Sequence, residues 1–398
     1  MLSPNPLETA RRQLDRDRQA TSAFPDLFRH KLTRMAGSPL AYLRGTAPLF
    51  YQLLADHPEL ASGPDGEGWL VGDAHLENFG AYRSTDADES VVFDVNDFDE
   101  AIVGPLRWDV VRLLTSVILG GRELGSNGQQ SVQLCSSILD GYVEALTNNQ
   151  IPKNPPAPVR RLLEKVEQRT HKDLLDRRTE RSGDGRRFIR GERYPDLAQD
   201  LVPKARAAFA AYVERLDPNG KLSRDHFAIE DVAFRVAGCG SLGALRVAVL
   251  TLGKGELDNR WIFDMKAEGV PSAQPLLAAP AEAPAERVRT ATLICLKHPP
   301  RMLGTSELDG QSLFVRRLSP QEDKLDLTHL RAEELPELAH YLGALLGRVH
   351  ARGAKTPPAQ SWSRAELSGL IERAIAIAGI HEAAYLALCF SGAQLPPR

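Results

Sequence analysis

Three neighbouring runs decide how this chain reads: GDAHLENFG (72–80), VVFDVNDFDEA (91–101) and GPLRWDVVRL (104–113). The first two carry their acids just after short apolar segments, Trp69-Leu70-Val71 and Val91-Val92-Phe93. Such short apolar runs predict strands whose carboxylates stand at strand ends, where loops facing a cleft carry function. Asp73, Asn78, Asp97 and Asp99 are hard-oxygen groups of the kind that hold magnesium. Magnesium in turn suits phosphate chemistry, in which charge neutralisation is most of the work. A lone Asp in a turn would mean little. An Asp and an Asn five residues apart, followed by Asp-x-Asp, is a constellation.

A second informative run is VAFRVAGCGSLGALRVAVLTLGKGELDNRWIFDMK (232–266). Its Gly238-x-Gly240-x-x-Gly243 fits either a dinucleotide loop or a kinase-type glycine loop. A dinucleotide loop must open a helix, because the helix N-terminus holds the pyrophosphate. Here Leu245, Val247 and Val249 alternate as in a strand, a turn follows at 253–255, and Trp261-Ile262-Phe263 leads to Lys266. Strand, glycine loop, strand, turn, strand, lysine is the order of a kinase ATP-binding lobe.

On these residues the chain resembles the protein-kinase-like superfamily, and its aminoglycoside and choline phosphotransferase branch in particular. The GDAHLENFG and NDFDEA runs, Leu43-Arg44-Gly45 and the glycine segment also resemble a bacterial family of unknown function, domain-of-unknown-function family 2252. The likeness implies an α+β fold of two lobes that binds ATP and Mg2+. It implies Asp73 as catalytic base, His75 as a structural or phosphate-side group, and Asn78 and Asp97 as metal ligands with Asp99 in support. Asp109 would anchor the catalytic loop from a helix, and Asp94 rivals Asp97 for the metal. Gly238, Gly240, Ser241 and Gly243 would cradle the nucleotide, and Lys266 would pair with its phosphates. Glu286, opening a helix ERVRTATLICL, is the expected partner of that lysine, with Glu268 as the rival.

The order of motifs is unusual, since Asp73 precedes the glycine loop, whereas a kinase has the loop first. Two explanations compete: chance matches of the motifs in an unrelated fold, or a circular permutation, which is tolerated where termini lie close together at the surface. The run LGALLGRVH (342–350) looks like the helix that leads into a phosphotransferase catalytic loop, yet it lies near the C-terminus. The expected organisation is a mainly helical catalytic lobe over 1–224, a β-rich nucleotide lobe over 225–325, and C-terminal helices over 326–398 that complete the first lobe. The implied reaction is phosphoryl transfer to a small-molecule hydroxyl. A kinase-like fold that transfers AMP to a protein, or one that binds nucleotide without catalysis, fits the same motifs.

Composition narrows the alternatives. The 398 residues carry 49 Lys and Arg against 52 Asp and Glu, a net charge of −3, which does not suggest a nucleic-acid binder. The N-terminus is polar and no run of about 18 apolar residues stands out, so neither a leader nor a membrane span is expected, and the cytoplasm is the expected location. The four cysteines show no zinc spacing and read as buried thiols. The arginine-dense stretch 170–193 reads as a solvated mobile loop or as a loop that receives an anion. Residues 272–285, rich in Pro and Ala, read as a linker or lid.

Overall fold

The computed structural model describes every residue except 1–3, 23, 85–89, 217–221, 239, 241–242 and 391–398. It is a mixed α+β chain with several small sheets. Five helices open it: Pro6–Ala20, Pro25–Met35, Pro39–Gly45, Ala47–Asp56 and Pro58–Ala61. Each has a proline in its first turn, where the missing N–H costs nothing and the fixed φ suits the helix. Asn5 and Ser38 cap two of them through side-chain oxygens.

Two three-stranded antiparallel sheets present the acidic loops. In one, Glu67–Leu70 lies between Ala354–Thr356 and Ile102–Pro105; in the other, Phe79–Arg83 lies between Asp323–Lys324 and Val91–Val95. Both therefore recruit a strand from the last quarter of the chain. The helix Arg107–Leu119 follows the first sheet, and Gly128–Asn148 follows that.

The helix Leu335–Gly353 lies along Gly128–Asn148 so closely that a Cβ on Gly343 would sit 2.0 Å from the carbonyl oxygen of Ile138. Its Leu342, Leu345, Leu346 and Val349 join one hydrophobic core with Leu70, Val110, Leu113 and Ile138. Both ends of the chain thus build the same core.

A five-stranded antiparallel sheet forms the second layer. Its order is Gly304–Leu308, Gln311–Arg317, Trp261–Ala267, Arg246–Thr251, Ile229–Phe234. One face, with Val247, Phe263, Met265 and Val315, packs on Phe209 and Tyr212 of the helix Leu201–Leu216. The helix Pro284–Cys295 connects the central strand to the outer hairpin and sends Val288 and Ala291 into the larger core. It thereby ties the sheet to the helical layer.

Two expectations need correction. The stretch 170–193 is ordered: a helix His171–Asp176 and a hairpin of Thr179–Ser182 with Gly185–Phe188. Its arginines are paired with acids, Arg186 reaching Asp176 within the stretch at 2.8 Å and the distant Asp258 at 2.9 Å, and Arg190 reaching the distant Asp231 at 2.8 Å. Residues 272–285 form no free linker, because Ala273 and Ala285 are fully buried and Ser272 N–H donates to Glu100 Oε2 at 2.5 Å. The helix Arg364–Phe390 is long and apolar enough to cross a membrane. It buries Leu370, Ala374 and Ile377 in the main core, as a core helix does.

Candidate active site

The two runs quoted first meet the glycine segment in one cleft. A cavity of about 300 Å3 is lined by Asp73, His75, Asn78, Asp97, Asp99 and Lys266, among others that include Gly238, Gly240 and Glu268. Residues 165 positions apart, 73 and 238, thus share a wall. Ser241, expected in the same loop, lies outside the described residues.

Asp73 sits in a turn held from every side. Gly72 takes a φ of 84°, and a Cβ there would meet the carbonyl oxygen of Glu100 at 2.0 Å, so only glycine fits. Its carbonyl accepts from Tyr51 Oη at 2.6 Å. Its N–H donates to Asp109 Oδ1 at 3.0 Å, and Val71 N–H donates to Asp109 Oδ2 at 2.5 Å. Asp109, from the helix Arg107–Leu119, is thereby the floor of the turn.

Behind Asp109 runs a buried chain, His350 Nε2 at 3.0 Å and then Tyr142 Oη at 2.8 Å from His350 Nδ1. With the proton on Nε2, the imidazole donates to the carboxylate and accepts from the tyrosine.

One helical turn beyond Asp109, Arg112 reaches Asp73. Its Nε donates to Asp73 Oδ1 at 2.7 Å, and its Nη2 donates to the Leu43 carbonyl at 3.0 Å. The guanidinium carbon stands 5.0 Å from the centroid of the Phe50 ring. Burial pushes the Asp73 carboxyl up, Arg112 opposes this, and Glu100 and Asp97 add to it, with the result at about 7. Arg112 was not singled out from the sequence. Its signal was present, since Asp109 and Arg112 are three apart on one helix and face the same way.

Asn78 donates from Nδ2 to the Asp73 carbonyl at 2.7 Å, which leaves its Oδ1 for another partner. His75 accepts the Glu77 N–H on Nδ1 at 3.1 Å, and its Nε2 stands 3.8 Å from Asp73 Oδ2. Burial, with Arg44, Lys324 and Arg112 nearby, holds this imidazole neutral.

The second acidic run enters from Val91–Val95. Asp97 Oδ1 accepts from Asp99 N–H at 3.3 Å, and Asp99 forms an ion pair with Lys266. Arg287, on the helix Pro284–Cys295, donates to the Asp99 carbonyl at 2.9 Å and also to that of Ala101. Asp94 turns away from the cleft into the larger core, where it is buried and paired with Arg348. It is therefore no rival for a ligand in this cleft.

Lys266 lies in the strand Trp261–Ala267, and its second carboxylate neighbour is Glu268 at 3.6 Å. Burial raises the Glu268 carboxyl to about 7, against the pull of Lys266. Glu286 does not reach Lys266. It is held at 2.7 Å by Arg289 and at 3.3 Å by Thr305 Oγ1, on the flank of its helix. The reason is rotation: Arg287 takes the inward position beside it and spends its donors on the acidic loop.

The first helices also touch the glycine segment. Lys31 Nζ donates to the Gly240 carbonyl at 3.3 Å while paired with Asp17 at 2.7 Å, and Arg34 donates to the Gly238 carbonyl. Nothing in the sequence pattern announced that contact.

A family model described as an uncharacterized protein conserved in bacteria, domain-of-unknown-function family 2252, matches residues 23–387. The chain belongs to that family. Neither a curated protein nor a solved structure matches it.

Proposed function

We propose that this member of the family is a nucleotide- and magnesium-dependent transferase of kinase-like, circularly permuted architecture. It moves a phosphorus group from ATP to an acceptor hydroxyl, and phosphoryl transfer to a small molecule is the form that the sequence resemblance implies. The observation that carries the reading is the ion pair between Lys266 and Asp99, which joins the lysine strand to the acidic loop across the cleft.

Asp73 accepts the proton of the acceptor hydroxyl. A carboxyl raised to about 7 suits that task at neutral pH. Arg112 orients it, and Asp109 with His350 fixes the turn that carries it. His75, neutral, lines the cleft beside Asp73 as a structural or phosphate-side group. Lys266 and the backbone of the glycine segment position the nucleotide.

Asp97 and the Oδ1 of Asn78 would hold Mg2+, with Asp99 in support. Among the described residues no group of three or more His, Cys, Asp or Glu is gathered for a metal. That sparse oxygen set fits magnesium, which keeps waters and takes phosphate oxygens as ligands. When bound, the cation neutralises phosphate charge.

A thermal-shift panel tests this reading. Mg2+ with ATP raises the midpoint more than either alone, because a ligand of the native state stabilises it by mass action. A panel in which no nucleoside triphosphate moves the midpoint sinks the proposal. So does an undiminished shift in Lys266→Met.

A further inference from the structure

Among the described residues, five Lys and Arg side chains line the cleft that holds Asp73: Arg16, Lys31, Arg44, Lys266 and Lys324. Four of them are engaged. Arg16 donates to the Gln52 side chain, Lys31 pairs with Asp17, Arg44 reaches Glu77 at 2.6 Å, and Lys266 pairs with Asp99. Lys324 alone of the five makes no ion pair and no side-chain hydrogen bond among the described residues. Its charge is the one that a ligand could take up without breaking an existing contact.

The fold aims this lysine deliberately. The strand Asp323–Lys324 lies antiparallel to Phe79–Arg83, with Lys324 opposite Gly80, two residues past Asn78. The approach is close: a Cβ on Gly80 would sit 2.8 Å from the Asp323 carbonyl oxygen. That is a reason for the glycine that ends the run GDAHLENFG. Successive side chains of a strand leave on opposite faces. Asp323 turns to Arg169, which anchors the strand, and Lys324 turns into the cleft. Asp97, Arg44, Glu77 and Arg316 are the charged groups around it, and it stands in turn among those around His75. His75 Nε2 is itself 3.8 Å from Asp73 Oδ2. Lys324 therefore lies on the Asp97 and His75 side of Asp73, whereas Lys266 enters from the five-stranded sheet.

With the cation on Asp97 and the acceptor hydroxyl at Asp73, the transferred group must pass between these two carboxylates. Both repel phosphate oxygens, and an uncommitted ammonium beside them offsets that repulsion. We propose that Lys324 is a further catalytic residue, whose ammonium binds the γ-phosphoryl group of ATP as it is transferred. The inference rests on the phosphotransferase reading. The acceptor oxygen bonds to the γ-phosphorus and its proton passes to Asp73. The bond from that phosphorus to the oxygen bridging to the β-phosphorus breaks, and ADP leaves with that oxygen. The ammonium stays protonated throughout and forms no covalent bond. It donates to a peripheral γ-oxygen, where negative charge is carried through the transition state.

Calorimetry on the full chain with Mg2+ tests this by comparing ATP with ADP, which lacks the γ-phosphoryl group. Lys324→Met is expected to weaken ATP by about tenfold, the loss of one charge-assisted contact, and to leave ADP unchanged. Lys324→Arg keeps the charge and is expected to recover most of the lost affinity. Equal losses of ATP and ADP in both variants overturn the proposal, as does a Lys324→Met chain that binds ATP as tightly as the parent. Either result leaves the nucleotide reading standing, because the parent still binds. A parent chain that binds neither nucleotide brings down both.

Discussion

His350 Nε2 stands 3.0 Å from Asp109 Oδ2, with both residues fully buried, and this contact joins the helix Leu335–Gly353 to the turn that carries Asp73. Asp109 accepts the N–H groups of Val71 and Gly72 as well, so its two oxygens serve three donors. Removing His350 leaves Tyr142 Oη without its partner and opens a hole beside Asp109. His350→Ala is expected to cost about 2–4 kcal/mol, the sum of an unmet buried hydroxyl and a cavity. Urea denaturation reads this as a lower midpoint with an unchanged slope. An unchanged midpoint would show that the helix and the turn are not coupled.

Glu268 gives a pH-dependent prediction. Its carboxyl is raised from 4.5 to about 7 in the folded chain, mainly by burial. The folded state therefore keeps a proton that the unfolded state sheds between those values. Stability falls as pH rises through that window, and the loss is complete above about 7. Glu268→Gln removes the penalty, and Lys266 retains Asp99. The variant is expected to be more stable than the parent at pH 8, by at most about 3 kcal/mol, and no more stable at pH 4. Thermal melts at the two pH values decide it.

Much of this was legible in the sequence, for a physical reason. Short apolar runs before Asp73 and Asp97, and the strand–turn–strand run ending at Lys266, are local patterns, and local patterns survive in one dimension. The helix 342–350 was legible as amphipathic, with its apolar side in the core. What escaped depends on pairing at a distance. The arginines of 170–193 looked solvated because Asp231 and Asp258, their partners, lie more than forty residues away. Glu286 looked inward because a helix was expected there, but the rotation of that helix is set by Arg287 reaching Asp99 and Ala101. No pattern within a single segment specifies such a rotation.

Glu286→Gln should accordingly do little. Its partners Arg289 and Thr305 are on the helix flank, and surface pairs of this kind contribute about 0–1 kcal/mol. The shift in melting midpoint caused by Mg2+ and ATP is expected to match that of the parent chain. A large loss of the shift would mean that the helix turns on binding and brings Glu286 to Lys266.

The acid limb of activity offers another check. As the proposed base, Asp73 would have to be ionised to accept a proton, so turnover is expected to rise with pH through about 7. Glu100 is the larger of the acids that push Asp73 upward. Glu100→Gln removes that charge and keeps a hydrogen-bonding oxygen for the Ser272 N–H. The limb is expected to move to lower pH while its plateau is retained. A limb that stays in place would assign the ionisation to another group, and Glu268, also near 7, is the first alternative.

Arg112 is the sharpest test of how Asp73 is held. The guanidinium donates to Asp73 from Nε, to the Leu43 carbonyl from Nη2, and stacks over Phe50. Lysine at this position keeps one positive charge but has no planar fork, so it cannot hold both oxygens and lie over the ring. Arg112→Lys is expected to lower stability by about 1–3 kcal/mol, because a buried carbonyl loses its donor. On the proposed reading, turnover of ATP should fall by more than the affinity for Mg2+ and ATP, since Arg112 holds Asp73 and does not itself line the cleft. A positioning loss of this kind appears in kcat with KM nearly unchanged. Equal losses in binding and turnover would make Arg112 a general support of the cleft rather than the residue that aims Asp73.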